Sequence, residues 1–240
     1  MIDNDFPYPT LSVPMVPWEA FHSLVKPMAQ ECPTPIIDAA IKAACIEFCW
    51  KTLIWNMETL CGSLEENDRV YKYNNSKDDV SNVMPICCIL REYNEDGTHI
   101  DHVAHQTNLQ DLDTYDPQWR NKTAKIPTKF YMKDPNTVVF VEKPKDIGNV
   151  MIHMLCAVKP NRKARGVAEF IYEDWAEEIA SGALARLHAM AGRVWANPQL
   201  VSFHQSKFRA GISRAKSKMY KSHVTQSKTM LPVEFGNIGI

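Results

Sequence analysis

Residues 34–56 have the sequence TPIIDAAIKAACIEFCWKTLIWN and predict the helix around which the chain folds. Thr34 suits the N-cap, Pro35 the first helical turn, and Asp38 the positive end of the helix dipole. One helix face is marked at steps of three and four by Ile37, Ile41, Ala44, Cys45, Phe48, Thr52 and Trp55. This face is widened by Ile36, Ala40, Trp50 and Ile54. We therefore expect a central helix that protein covers on most sides.

Two further helices are predicted in the last third of the chain. The first begins at about Val167 and is indicated by residues that recur at helical spacing: Phe170, Ile171, Trp175, Ile179, Gly182, Ala183, Arg186 and Leu187. The Gly-Ala pair at 182–183 would allow another helix to approach closely, and the central helix is the expected partner. Asn197-Pro198 repeats the cap-and-proline signal, and the last helix is expected to run to about His223.

A β-rich region lies between these helices. Its β-branched and aromatic content predicts strands at 69–73, 83–93, 128–133, 137–142 and 149–159. Turn residues at 94–97 and 134–136 predict hairpin connections, and the polar residues 106–124 predict a long loop. The expected fold class is α+β: a helical bundle built on the long central helix and two C-terminal helices, with an inserted β-rich domain and extended termini.

The predicted domain organisation follows from these patterns. Residues 1–17 form an extended N-terminal arm, because seven of the fifteen prolines stand within residues 1–35. A short helix is expected at 18–28. Residues 18–64 and 165–224 form the bundle, 65–164 the β-rich insertion and 225–240 an extended tail. Because the arm carries apolar side chains without a local partner, we expect it to lie on a neighbouring subunit or another protein.

Charge is distributed unevenly, although the net charge is only −1. Residues 64–116 contain twelve acidic and four basic residues, whereas residues 179–233 contain nine Lys and Arg and no acidic residue. Such asymmetry is typical of a surface that meets the opposite charge. The two stretches could also neutralise each other within one chain or across neighbouring copies.

No enzyme motif is present: the sequence lacks a glycine-rich phosphate loop, GxSxG and HExxH. His99, His102 and His105 are candidates for a metal trio, but on a strand only the first and third share a face. The seven cysteines include no CxxC pair. We therefore expect no catalytic residue, metal or cofactor. No signal peptide or membrane-spanning run is indicated either, so no membrane partner is expected.

The last predicted helix is basic and carries Lys207, Arg209, Arg214, Lys216, Lys218 and Lys221. The tail after it carries the apolar residues Met230, Leu231, Val233, Phe235, Ile238 and Ile240. DNA binding by this helix is the alternative function, but aromatic residues do not alternate with the basic ones and no helix-turn-helix precedes it. A solvated or protein-facing helix is the simpler interpretation.

Three stretches resemble the head-to-tail adaptor (connector, tail tubular protein A-like) proteins of tailed bacteriophages. Residues 32–55, CPTPIIDAAIKAACIEFCWKTLIW, are similar to the opening long helix of that family. Residues 129–164, KFYMKDPNTVVFVEKPKDIGNVMIHMLCAVKPNRKA, are similar to its succession of strands that closes on Lys-Pro. Residues 170–216 contain Gly-Ala-Leu, Trp-x-Asn-Pro and Phe-x-x-Gly-Ile elements in the family's order. The resemblance does not extend to residues 65–127.

This resemblance implies a structural virion protein of the phage neck, made in the host cytoplasm. Such a protein forms a homo-oligomeric ring, typically a dodecamer, beneath the portal. Its partners would be the portal protein, a tail nozzle or other tail proteins, and further copies of itself. Genomic DNA would pass through the ring during ejection without sequence-specific binding. Residues 207–240 are then the expected portal-binding element, and a DNA-binding or genome-packaging accessory protein remains the alternative.

Overall fold

The structure, a computed structural model, describes residues 14–73 and 79–224. Its helices are α1 (His22–Val25), α2 (Thr34–Thr52), α3 (Leu109–Tyr115), α4 (Glu169–His188) and α5 (Pro198–Val224), with 3-10 turns at Trp18–Phe21, Lys26–Met28 and Trp119–Asn121. Its strands are β1 (Met15–Pro17), β2 (Asn56–Ser63), β3 (Val70–Lys72), β4 (Val80–Tyr93), β5 (His99–Gln106), β6 (Thr123–Ala124), β7 (Lys129–Asp134), β8 (Thr137–Phe140), β9 (Lys143–Pro144), β10 (Asn149–Pro160) and β11 (Gly166–Ala168).

Helix α2 is the central helix that the sequence predicts, but its cap differs. Pro33 occupies the N-cap position, no side chain caps this end, and Thr34 lies inside the first turn. The carbonyl of Pro33 accepts the first helical hydrogen bonds, from the amide of Ile36 at 2.9 Å. The prediction of Thr34 as N-cap is therefore wrong by one residue. The helix ends at Thr52, because Leu53 adopts the left-handed conformation with φ 55°.

The inner face of α2 packs against both C-terminal helices. The ring of Phe48 lies 5.4 Å from that of Trp175 on α4 and 6.3 Å from that of Phe208 on α5. The predicted packing of the central helix on α4 is confirmed, and Phe48, Trp55 and Trp175 are all buried. The expected partner of Gly182 was wrong: a Cβ there would lie 2.8 Å from the Phe208 ring, so α5 rather than α2 approaches closely.

The long strands form one seven-stranded, nearly closed sheet in the order β2-β10-β4-β5-β7-β8-β3. All neighbouring strands are antiparallel except β5 and β7. The sheet encloses its own apolar core, whose largest fully buried side chains are Leu90, Phe130, Phe140, Ile152 and Met154. Strand β10 joins the two cores, because its residue Val158 is buried with the helices instead.

The predicted fold class is therefore wrong. The chain is mixed α/β, 41% helical and 32% strand, and not a helical bundle with a small inserted β domain. Strand β2 comes from a segment that the prediction placed in the bundle, yet it pairs along β10 from Asn56–Ala157 to Ser63–Met151. Periodicity identifies individual strands, but pairing between distant segments depends on contacts that no local pattern contains.

The segment predicted as a polar loop, 106–124, contains helix α3. Asn108 caps this helix, since its side-chain oxygen accepts a hydrogen bond from the amide of Asp111 at 2.7 Å. Leu112 and Trp119 are buried against Val141 in a small separate cluster. The loop prediction failed because only two large apolar side chains anchor this otherwise polar segment.

The end of the N-terminal arm packs on its own chain. Met15 pairs with Ala168 and Pro17 with Gly166, so β1 and β11 form a two-stranded antiparallel sheet. Trp18 then donates a hydrogen bond of 2.8 Å to the carbonyl of Ala164. The helix expected at 18–28 is a succession of 3-10, α and 3-10 turns. Residues 1–13 of the predicted arm lie outside the described residues.

Replacing Phe48 with Ala should lower the free energy of unfolding by about 3–5 kcal/mol, because a large aromatic ring at the junction of three helices is removed. Urea denaturation followed by circular dichroism measures this change. Phe203→Ala is the matched control, since Phe203 lies on α5 with 60% of its surface exposed. A loss no greater than that of the control would show that Phe48 does not anchor the core.

Candidate interaction surface

The predicted portal-binding residues on α5 divide into two groups. One group faces α4 and forms ion pairs within the chain: Lys207 with Glu177 (3.1 Å), Arg214 with Glu178, and Lys218 with Asp174 (2.8 Å). These positions recur at steps of seven and four residues, so they form one stripe along the helix. Three of the six basic residues of α5 therefore face α4.

The second group lies on the side of α5 opposite the paired stripe, where Arg209 borders a pocket lined also by Arg186 of α4 and Glu47 of α2. Arg209 and Lys216 are exposed, one helical face apart from the paired stripe, and neither forms an ion pair among the described residues. Around them the outer face carries Ser206, Ala210, Ser213 and Ser217, and no acidic residue. Among the described side chains of α5, this neutral-to-basic face is open to a partner.

The other predicted portal-binding residues lie partly or wholly outside the described residues. The backbone of Lys221 belongs to α5, but its side chain lies outside the described residues. The whole tail also lies outside them, including Met230, Leu231, Phe235, Ile238 and Ile240.

The acidic stretch at 64–116 does not neutralise α5 in the part of the chain that the structure describes. Its carboxylates pair with nearby basic residues of the β-rich region: Glu92 with Lys125 (2.7 Å), Asp101 with Arg91 (2.7 Å), Asp113 with Arg120 (2.8 Å) and Asp116 with Lys122 (2.6 Å). The acidic partners of α5 come instead from α4. Sequence reasoning missed this pairing, although four acidic residues stand between positions 173 and 178.

Two glycines allow α4 and α5 to pack closely. The Phe208 ring of α5 lies over Gly182 of α4, and the Glu178 side chain of α4 lies over Gly211 of α5. A side chain at either position would occupy space that the opposite helix already fills. Glu178 is thereby held in a buried position beside Arg214. The register of the charged stripe is thus fixed by the two contacts at glycine.

Two buried histidines stack where α4 meets the start of α5. The rings of His188 and His204 lie 5.5 Å apart. His188 Nδ1 donates to the carbonyl of Trp195 at 2.9 Å, whereas neither ring nitrogen of His204 has a hydrogen-bond partner in the described part of the chain. Burial, and secondarily the nearby His188 and Lys207, lower the pKa of His204. Acidification therefore charges a group that the fold keeps neutral.

A groove of about 1040 Å³ runs along the outer face of α2. Its floor is the stripe Ala39, Ala43, Ile46 and Trp50, and 55% of the Trp50 surface is exposed. Segment 159–162 contributes to its wall. The expectation that protein covers α2 on most sides is thus wrong for this face. The all-round apolar character of residues 34–56 was the available signal, but it could not show which face stays open.

The three histidines that were candidate metal ligands do not form a common site. His99 and His105 lie exposed on β5, whereas His102 is 3.4 Å from Glu92. Within residues 14–73 and 79–224, no three His, Cys, Asp or Glu side chains form a group that could hold a metal ion. No helix in those ranges has the length and apolar character needed to cross a membrane.

No protein-family model matches the chain, and a comparison with curated proteins finds no significant match.

Gly182→Leu should lower the free energy of unfolding by about 1–3 kcal/mol, because the new side chain overlaps the Phe208 ring and separates α4 from α5. Ala210→Leu adds similar volume on the exposed face of α5 and serves as the control. Both variants are measured by urea denaturation. Equal stability of the two variants would contradict the close packing at Gly182.

Stability should fall on acidification below about pH 6.5, the ordinary pKa of histidine. The unfolded chain then binds a proton at His204 more readily than the folded chain, whose pKa there is lowered, so protonation favours unfolding. The loss stops growing once the pH is below the folded-state pKa. Urea denaturation at pH 7.5 and 5.0 should show a smaller difference for His204→Gln than for wild type.

The exposed His105 supplies the control for this measurement. His105→Gln removes an exposed imidazole, so a reduction of the same size in this variant would show that the effect is not specific to the buried ring of His204. A His204→Gln variant with unchanged pH dependence would show that His204 does not titrate differently in the two states.

Proposed function

We propose that the chain is a structural virion protein, a head-to-tail adaptor that forms a ring beneath the portal and surrounds the DNA channel. One observation carries the proposal: the three stretches that resemble the adaptor family contribute to a single core. The first stretch contains α2, the second contains Val158 of β10, and the third contains α4 and most of α5. The three stretches that resemble the family are thus far apart in sequence, but they pack together in the fold.

The surfaces of the helical layer also suit an assembly protein. The outer face of α5 presents Arg209 and Lys216 without an acidic neighbour on that helix, and α2 carries an open apolar groove. A ring needs two different faces on each copy, because each copy contacts its neighbours through unlike surfaces. In the proposed neck assembly, the portal protein, further copies of this chain and a tail nozzle or other tail protein would occupy these surfaces.

DNA binding through α5 is the less favoured function. Lys207, Arg214 and Lys218 are engaged by carboxylates of α4, so few cations of this helix are available to phosphates. Non-specific binding to duplex DNA depends on the number of phosphates that cations neutralise. An adaptor would conduct DNA with weak and steeply salt-dependent affinity, whereas an accessory protein would bind duplex tightly.

Truncation after Thr225 should leave a folded protein that no longer joins the portal of the same phage. The tail contains apolar residues and continues from the basic helix, so its removal takes away the proposed docking segment.

Arg209→Glu with Lys216→Glu should weaken portal binding at least tenfold, since these cations would meet acidic portal residues. Negative-stain microscopy and light scattering of mixtures with portal measure both effects.

Lys129→Glu with Lys133→Glu is the matched control, because both residues are exposed on β7. It should form rings on portal as wild type does. Normal joining by the truncated protein would contradict the proposed role of the tail. Tight binding of duplex DNA at physiological salt by wild type, without assembly on portal, would instead favour the accessory function.

A further inference from the structure

The α2 groove is an apolar surface with a defined shape and no covering element in the described part of the chain. Ala39, Ala43, Ile46 and Trp50 are spaced at four, three and four residues, so they form one continuous stripe. The opposite face of the same helix is fully buried around Phe48. An exposed apolar stripe that lies in a groove indicates a binding surface rather than scattered surface residues.

The groove is also positively charged. Its basic side chains are Lys42, Lys51, Lys159, Arg162 and Arg186, against the acidic Asp38 and Glu47. Lys51 and Arg186 both pair with Glu47, and Asp38 is 2.6 Å from His22. Lys42, Lys159 and Arg162 have no carboxylate within ion-pair distance among the described residues. The matching occupant is a segment with apolar side chains and a few negative charges.

Residues 1–13 of this chain have that chemistry. Their sequence, MIDNDFPYPTLSV, contains Asp3 and Asp5 and no Lys or Arg, together with the large apolar side chains Ile2, Phe6, Tyr8 and Leu11. Pro7 and Pro9 disfavour a helix and suit an extended segment in a groove. The other terminal segment, 225–240, contains one Lys and one Glu and so lacks the complementary charge.

The direction of β1 indicates which copy supplies the segment. Pro17 precedes Trp18, whose ring lies 5.8 Å from Nζ of the groove residue Lys42, whereas Met15 pairs with Ala168 at the start of α4. The amide of Glu169 donates to the carbonyl of Pro14 at 2.8 Å. Toward its amino end, the chain therefore runs away from the groove. Thirteen extended residues span up to about 45 Å, longer than α2 at roughly 28 Å, and can reach an adjacent copy.

We propose that the α2 groove of one copy binds residues 1–13 of a second copy. Trp50 and its apolar stripe receive Phe6 and Tyr8, and the unpaired cations of the groove wall receive Asp3 and Asp5. The interaction deepens the proposed function, because a ring needs contacts between copies, and it rests on that function for the presence of adjacent copies. It does not depend on portal.

Photo-cross-linking of full-length protein tests the proposal. Phe6→benzoylphenylalanine is prepared in light and isotopically heavy forms, which are mixed at equal concentration and irradiated. We expect cross-linked peptides that join residue 6 to residues 39–50, with light–heavy hybrids as frequent as random pairing requires. Hybrids show contact between two copies. Only light–light and heavy–heavy products, or products outside the groove, would overturn the proposal, and so would a chain that stays monomeric at every concentration.

Variants give the groove and its charges separate tests. Trp50→Asp should lower the hybrid yield at least tenfold, and so should Lys159→Glu with Arg162→Glu, whose exposed or half-buried side chains allow folding to be retained. The controls are Phe203→Asp for the aromatic change and Lys129→Glu with Lys133→Glu for the charges, and both should stay within twofold of the parent. Yields that do not respond to either groove variant would overturn the assignment.

The purified chain is used without portal, so this test and the adaptor test fail separately. Hybrid cross-links in a protein that never joins portal would support the groove contact and contradict the adaptor function. Portal binding without any cross-link to the groove would support the adaptor function and contradict the groove contact.

Discussion

Phe48 lies where α2, α4 and α5 meet, and burial of its ring is the contact on which the helical layer depends. Trp175 and Phe208 reach it from the two C-terminal helices, at 5.4 and 6.3 Å between ring centres. Strand β10 packs on the same layer through Val158 and continues into the core of the sheet. The position of α5 is therefore set by apolar packing, and its charges take the places that this packing leaves.

The relative magnitudes support this order of causes. An exposed ion pair contributes about 0.2–1 kcal/mol, whereas a large buried aromatic ring contributes about 3–5 kcal/mol. The pairs of Lys207 and Lys218 with α4 are exposed, so they add little stability to a register that the contacts at Gly182 and Gly211 already fix. Such pairs can be exchanged at small cost. A partner with acidic groups would first meet Arg209 and Lys216, which have no pair to give up among the described residues.

The two faces of α2 have different roles in this arrangement. The inner face holds the fold together through Phe48, and the outer face leaves Trp50 at 55% exposure above a stripe of small residues. Both faces are apolar in sequence, because burial within a chain and burial between chains select the same side chains. A helix that is apolar all round is thus explained if its open face is covered when copies associate. This is the connection between the proposed ring and the proposed groove contact.

Elements with strong local periodicity could be predicted from the sequence. Residues 34–52, the two C-terminal helices and the strands near 129–134 and 149–160 follow from spacing, capping and turn residues, which act over a few positions. How these elements combine depends on contacts between distant parts of the chain. The pairing of β2 with β10 joins Asn56 to Ala157 and Ser63 to Met151, and it builds a nearly closed sheet that no local pattern predicts, so the predicted helical bundle was wrong.

For the candidate site too, the sequence predicted part and the fold determined the rest. The sequence located a basic helix, but its six basic residues could be separated into paired and open groups only once α4 covered one face. Likewise, Trp50 and Arg162 form one groove only because the fold brings α2 beside the end of β10. Local patterns are encoded by neighbours in the chain, whereas surfaces are made by neighbours in space.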